Sequence, residues 1–202
     1  MEVIRRQSVP KSDGVKDCEN LFGEVVGIGR RFKDCRFANY RLTSQAQADA
    51  IKQLENWVLS IKNGLDTNLV LAGYRGSGKT HLAVAIMFAL KELGLRSELV
   101  PFQDLLFEIR STYRSNAHQT EWQILQRLKE CDLLILDDLD RASLSTSERR
   151  TLQTLMDMRF REQRPSVLVT PLESQFFCSM VGEAVLARLS VGALVWVECN
   201  WR

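Results

Sequence analysis

The stretch Gly73-Tyr74-Arg75-Gly76-Ser77-Gly78-Lys79-Thr80 decides the fold. It fits the pattern G-x-x-x-x-G-K-[ST] at every specified position. Each residue type answers a chemical need. The glycines let the backbone wrap closely around a polyphosphate and aim successive N–H groups inward. A helix that starts at the lysine presents its positive end to the same anion. Lys79 reaches the β and γ phosphates as a point charge, and the Thr80 hydroxyl can ligate Mg²⁺. Tyr74, Arg75, Ser77 and the following His81 belong to the same cofactor-binding run, His81 as a packing or backbone position rather than a general base. The alternative, a glycine-rich turn that carries a lysine by accident, is disfavoured by what flanks the loop.

Leu69-Val70-Leu71-Ala72 enters the loop as a short apolar run and reads as a buried strand. Beyond it, Leu82, Ile86, Leu90 and Leu93 recur at helical spacing up to Gly94. Further strands are expected at Ser97 to Val100, Leu133 to Leu136, Ser166 to Thr170 and Ala193 to Glu198. Between them lie helical patterns. Ser44 with Gln47, Thr120 with Gln123 and Ser145 with Glu148 are capping boxes. Asp104 to Tyr113 and Leu172 to Leu189 complete the helices, and Trp57 and Trp122 fit apolar stripes as core residues. Apolar strands alternating with helices predict an α/β P-loop NTPase with a five-stranded parallel sheet and helices on both faces. Residues 1–43, broken by Gly14, Gly23, Gly27 and Gly29, read as an N-terminal arm with a short partner-binding or linker segment; 44–202 read as the ATPase core.

The third strand runs into acids: Leu133-Leu134-Ile135-Leu136-Asp137-Asp138. Acids there emerge at the carboxyl edge of the sheet, where ligands of open α/β folds bind. Asp137 would hold Mg²⁺ beside Thr80, and Asp138 would orient or deprotonate the attacking water. Alone the pattern is weak, but Mg²⁺ requires both a phosphate and a carboxylate, so the two motifs support each other.

Composition narrows the class. The chain has 202 residues, 45% hydrophobic and 26% charged, with net charge +2. That suits one soluble domain with a short appendage, and no global basic field draws nucleic acid. There is no run of about 18 apolar residues and no signal-peptide pattern, so no membrane association is expected. Cys18, Cys35, Cys131, Cys178 and Cys199 form no C-x-x-C. Reduced thiols in a cytoplasmic protein are the expectation.

At this point the residues resemble a known group. Gly78-Lys79-Thr80-His81-Leu82-Ala83 with Ala85-Ile86, and Cys131 to Leu139, are similar to the DnaC/IstB-type AAA+ ATPases. Arg31-Phe32-Lys33-Asp34-Cys35-Arg36-Phe37-Ala38-Asn39-Tyr40 resembles the leading segment of DnaC-like replicative helicase loaders. Arg164-Pro165-Ser166, Ala187-Arg188-Leu189 and Asn200-Trp201 extend the likeness, which covers about 28–202. The resemblance implies a strand order 5-1-4-3-2 and homo-oligomers with ATP at the interfaces. It implies a replicative helicase and single-stranded DNA as partners, or, in the sibling branch, a regulator of DNA transposition. It makes Arg188 the finger that reaches a neighbour's γ-phosphate. It sets Phe37 and Tyr40 against the adenine, Arg159 at a subunit boundary, and Arg110, Tyr113 and Arg114 near DNA.

Departures from the group qualify this. Pro171 stands near a polar sensor position, where Thr170 is the substitute. Asp138 stands where many AAA+ proteins have glutamate, which points to slow ATP hydrolysis. The sequence ends at Trp201-Arg202, and no helical lid domain is expected. An ATP-binding regulatory subunit with little turnover therefore stays open; a small-molecule kinase is disfavoured because no arginine-rich lid is visible.

Overall fold

The computed structural model describes residues 24–114, 116–140 and 144–201. The first part of the arm with Cys18, Arg141, and Arg202 at the end lie outside the described residues. Six strands form one parallel sheet: β1 (Val25–Val26), β2 (Asn68–Ala72), β3 (Ser97–Pro101), β4 (Leu133–Asp137), β5 (Ser166–Thr170) and β6 (Leu194–Glu198). Their order is β1-β3-β4-β5-β2-β6. The five expected strands stand in the order the resemblance implies, and the sheet has a sixth. Val25 and Val26 pair with Ser97 and Glu98 at the edge. Two residues between glycines carry no periodicity, so only their pairing identifies them as a strand.

Strand β2 lies between β5 and β6, in register Leu71 with Val169 and Val197. All its residues are buried. The two-residue alternation of a strand sends its side chains to two separate cores. Val70 and Ala72 join Leu134, Leu136 and Leu168 on one side. Leu69 and Leu71 join Leu133, Ile135 and Val167 on the other. The first side is covered by α3 (Phe102–Ser111), α4 (Glu121–Glu130), α5 (Thr146–Arg161), α6 (Ser174–Val181) and α7 (Glu183–Leu189). The second is covered by α1 (Gln45–Lys62), α2 (Lys79–Glu92) and the segment from Val25 to Tyr40. That segment crosses the start of α2 in two single 3-10 turns, Arg30–Phe32 and Phe37–Asn39.

The three capping boxes form as the sequence predicts. Ser44, Thr120 and Ser145 each accept from the backbone N–H three residues on, and the Gln47, Gln123 and Glu148 side chains reach back. Other expectations change. The single helix 172–189 is two, because Gly182 has φ +83° and ψ 162°, outside the helical region. Trp57 is buried, but Trp122 is 61% exposed. Ile124, Leu125 and Leu128 define the buried arc of α4, and Trp122 lies roughly 110° from its centre at 100° per residue.

Arg159 is also corrected. It is no boundary residue: it is 1% exposed, on α5. Its guanidinium donates to the carbonyls of Leu128 at 2.6 Å, Cys131 at 3.0 Å and Pro165 at 2.5 Å, and to Ser166 Oγ at 2.9 Å. It thus caps the end of α4 and ties it to the start of β5. Glu98 in β3 is a second buried charge, with Arg127 at 3.6 Å and Arg96 at 3.9 Å. Burial pushes its carboxyl above the usual range.

Arg159→Ala is expected to lower the unfolding free energy by about 3 kcal/mol, because several buried carbonyls lose their donor together. A urea titration reads this as a lower midpoint at unchanged slope. Arg159→Lys should recover little, since one ammonium cannot span the same acceptors.

Candidate nucleotide-binding site

Strand β2 delivers the chain to the phosphate loop at the carboxyl edge of the sheet. Gly73 has φ +140° and Gly78 has φ +89°. Packing adds a second reason for glycine at each. A Cβ on Gly73 would lie 2.3 Å from the Cys199 carbonyl oxygen, and one on Gly78 would lie 2.7 Å from Tyr40 Oη. Lys79 begins α2 and is buried. Its ammonium donates to the carbonyls of Gly73 and Tyr74, both at 2.7 Å. Burial pushes its pKa down, against the pull of Cys199, Asp137 and Asp138. Burial likewise lifts the Cys199 thiol to about 12.

The acid pair stands opposite. Thr80 Oγ1 donates to Asp137 Oδ2 at 2.9 Å, and the Asp138 amide donates to Asp137 Oδ1 at 2.8 Å. Asp137 is nearly buried at the end of β4. Burial pushes its carboxyl above the usual range, partly offset by those two hydrogen bonds. Asp138 has φ +60°, a left-handed conformation that aspartate tolerates. The next residues are fixed to β5: the Leu139 amide donates to the Val169 carbonyl at 3.0 Å. Thr170 Oγ1 donates to the Leu139 carbonyl at 2.6 Å and accepts from the Leu172 amide at 3.1 Å. Arg75 pairs with Asp140, joining the phosphate loop to this turn.

These groups converge on one cavity of about 500 Å³. Gly76, Gly78, Lys79, Thr80 and His81 line one side, and Asp137, Asp138, Thr170 and Pro171 line another. An ammonium, a helix start, a hydroxyl and two carboxylates around one space suit a polyphosphate with a divalent cation. Thr80 and Asp137 are the residues that could hold the cation. Thr170 lines the cavity, but its hydroxyl proton is committed to the backbone of the acidic turn.

The remaining wall comes from Arg31, Phe32 and Cys35. They belong to the segment that carries the resemblance; Phe37 and Tyr40, expected against the adenine, do not line this cavity. Phe37 packs half-buried on the α2 side, and Tyr40 sits behind the loop. His81 Nε2 lies 3.0 Å from the Arg36 carbonyl oxygen, and its ring meets Tyr40 edge-on at 5.1 Å.

Arg188 lies elsewhere. It is on α7 and pairs with Asp157 at 2.5 Å. Its neighbour Leu189 accepts from Asn68, the first residue of β2. The five residues of β2 therefore separate Arg188 from the phosphate loop by roughly 15 Å. Arg110 pairs with Glu148 at 2.7 Å, and Tyr113 is 71% exposed with its hydroxyl 3.3 Å from Glu121. Arg114 follows on the same surface, exposed. Phe107 and Trp122, both 61% exposed, stand on the same pair of helices.

Known proteins share this fold. The sequence profile of the family described as IstB-like ATP binding protein matches residues 30–195. The replicative helicase loader DnaC of Escherichia coli K12 is 28% identical over 198 residues, spanning 98% of this chain and 80% of that protein. The crystal structure of the DnaC helicase loader superposes with a TM-score of 0.71 at 22% identity, over 84% of this chain and 99% of that one. The replication initiator DnaA bound to AMPPCP and single-stranded DNA superposes with a TM-score of 0.68 at 19% identity. That match covers 82% of this chain and 50% of the initiator.

The raised Asp137 pKa gives a pH dependence with a definite sign. The folded chain holds this proton to higher pH than the unfolded chain does. Its stabilising contribution is thus complete at low pH and is lost as pH rises through the raised value. Asp137→Asn cannot show this loss. Without nucleotide or Mg²⁺, the stability of wild type relative to Asp137→Asn should fall as pH rises from about 4, the ordinary aspartate value. Urea midpoints measured as pH is raised check it; a constant gap would contradict it.

Proposed function

The chain belongs to the IstB-like ATP-binding protein family, and from that membership we propose that it is an AAA+ ATPase that loads a replicative helicase onto single-stranded DNA. The observation that carries the reading is the convergence of Lys79, Thr80, Asp137 and Asp138 on one cavity. ATP is the nucleotide. Gly73 to Thr80 and the first turn of α2 hold its phosphates, and Lys79 turns from the loop carbonyls to the phosphate oxygens, which are stronger acceptors. Thr80 and Asp137 hold Mg²⁺, which would neutralise charge on the phosphates. Asp138 orients the attacking water and accepts its proton. Hydrolysis is slow, because Asp138 is a short acid and Pro171 occupies the wall where a polar sensor would act.

Arg188 serves a neighbouring copy. Its distance along β2 from its own phosphate loop supports action across an interface, in a homo-oligomer that buries ATP between subunits. The exposed aromatics Phe107, Tyr113 and Trp122, with Arg114, support a surface for single-stranded DNA. Rings stack on bases without sequence preference while the cation meets phosphate. The protein acts in the cytoplasm. Among the described residues no helix is long and apolar enough to cross a membrane. The family profile also supports a second reading, a regulator of DNA transposition, in which the partner is a transposase and the DNA is double-stranded.

Lys79→Ala should weaken ATP binding by about 10- to 100-fold, the loss of a charged donor to phosphate. Asp138→Asn should bind ATP normally and lose hydrolysis by about 100-fold or more. Both are read by nucleotide titration and phosphate release. Wild type with ATP should retain a replicative helicase in a pull-down, and Lys79→Ala should not. Retention of a transposase instead would move the assignment to the second reading.

Phe107→Ala, Tyr113→Ala and Trp122→Ala should each weaken binding to an oligothymidylate by about 5- to 100-fold, the range for losing one stacked base. ATP affinity should stay unchanged. Anisotropy of a labelled oligonucleotide checks this; equal binding by all three variants would remove the surface from the mechanism.

A further inference from the structure

The phosphate loop is braced from outside by segments near both ends of the described chain. A loop that aims its N–H groups at an anion turns carbonyls the other way, and a half-buried carbonyl needs a donor. The Ser77 carbonyl has two. The Tyr40 hydroxyl donates to it at 2.7 Å, and the Trp201 indole N–H donates to it at 2.9 Å. The indole N–H is shared, with Tyr40 Oη also 2.9 Å away. The triangle joins the segment before α1, the loop itself and the chain beyond β6.

Backbone contacts hold the same arrangement. The Cys199 amide donates to the Ala72 carbonyl at 2.6 Å, one residue before the loop. Gly73 leaves room for the Cys199 carbonyl and Gly78 leaves room for the Tyr40 ring. Neither Tyr40 nor Trp201 lines the cavity that holds Lys79 and the acids. Their contacts fall on the rear of the loop.

We infer that Tyr40 and Trp201 are positioning residues for the phosphate loop: together they hold the Ser77 carbonyl outward and so keep the loop's N–H groups aimed at the phosphates. This rests on the ATP-binding reading. Without either donor, the carbonyl turns to find another partner, and the Gly78 amide that shares its peptide plane turns with it. By thermodynamic reciprocity, nucleotide binding and the docking of residues 199–201 strengthen each other. Either segment can then report on the nucleotide without touching it.

The test is a titration of the full chain with a fluorescent ATP analogue, for wild type, Tyr40→Phe, Trp201→Phe and the double variant. Each single variant keeps an aromatic ring and one of the two donors, so affinity should fall only about 2- to 10-fold. The double variant should lose about 10- to 100-fold, more than the product of the singles, because the two donors serve one acceptor. Hydrogen exchange supplies a readout that a purely structural tie would not move. Amides of residues 199–201 should exchange more slowly in wild type when nucleotide is added, and should respond much less in Lys79→Ala at the same nucleotide concentration. A double variant that binds as wild type does, or unchanged exchange in nucleotide-saturated wild type, overturns the inference. If the double variant fails to fold, the exchange result on wild type decides. Wild type that does not bind the analogue overturns the ATP-binding reading itself, an outcome visible in the first titration.

Discussion

Strand β2 has a hydrogen-bonded neighbour on each side and an apolar layer on each face. A strand held on four sides cannot shift, so the residue that leaves it emerges at a fixed point above the sheet. That residue is Gly73, and the phosphate loop begins there. The start of α2 is placed by the same strand, and the acids of β4 arrive two strands along, with β5 between. The cavity lies at this topological switch, where crossovers leave a crevice at the carboxyl edge.

Buried polar groups divide by where their bonding capacity points. The Arg159 guanidinium is spent on carbonyls and a hydroxyl of the scaffold, so its burial serves stability. Glu98 is held between two arginines in β3. Lys79 and Asp137 are also buried, but both border an open cavity. Their pKa shifts run in opposite directions for one reason: burial disfavours the charged form of each. A cavity that strains both a cation and an anion favours a ligand that brings the opposite charges, a polyphosphate for the lysine and a divalent cation for the carboxylate. Ionisable residues alone would not distinguish these roles; the geometry around them does.

The glycines of the phosphate loop serve two purposes. The loop conformation requires positive φ, and the outside of the loop requires space. Cys199 approaches at Gly73 and Tyr40 at Gly78, so the loop is clasped by distant segments as well as shaped by its own sequence. The same closeness explains why Phe37 and Tyr40 do not form the cavity wall. The 3-10 turn at Arg30–Phe32 turns the earlier residues of that segment inward, and Arg31, Phe32 and Cys35 take the place.

The phosphate loop, the acid-terminated strand, three helix starts and the five main strands with their helical partners are legible from sequence alone. All of these are local: a motif, a capping box or a periodicity is complete within about a dozen residues. Tertiary structure alone decided the rest. Val25–Val26 became a strand only because β3 offered an edge, and Trp122 turned outward because Ile124, Leu125 and Leu128 set the buried arc. Arg159 went into the interior because α4 ended where its carbonyls needed a donor. The Ser77 carbonyl met Tyr40 and Trp201, which stand 161 positions apart in the chain. No local pattern encodes such a meeting, since it depends on how β2 and β6 align and on how the leading segment crosses α2.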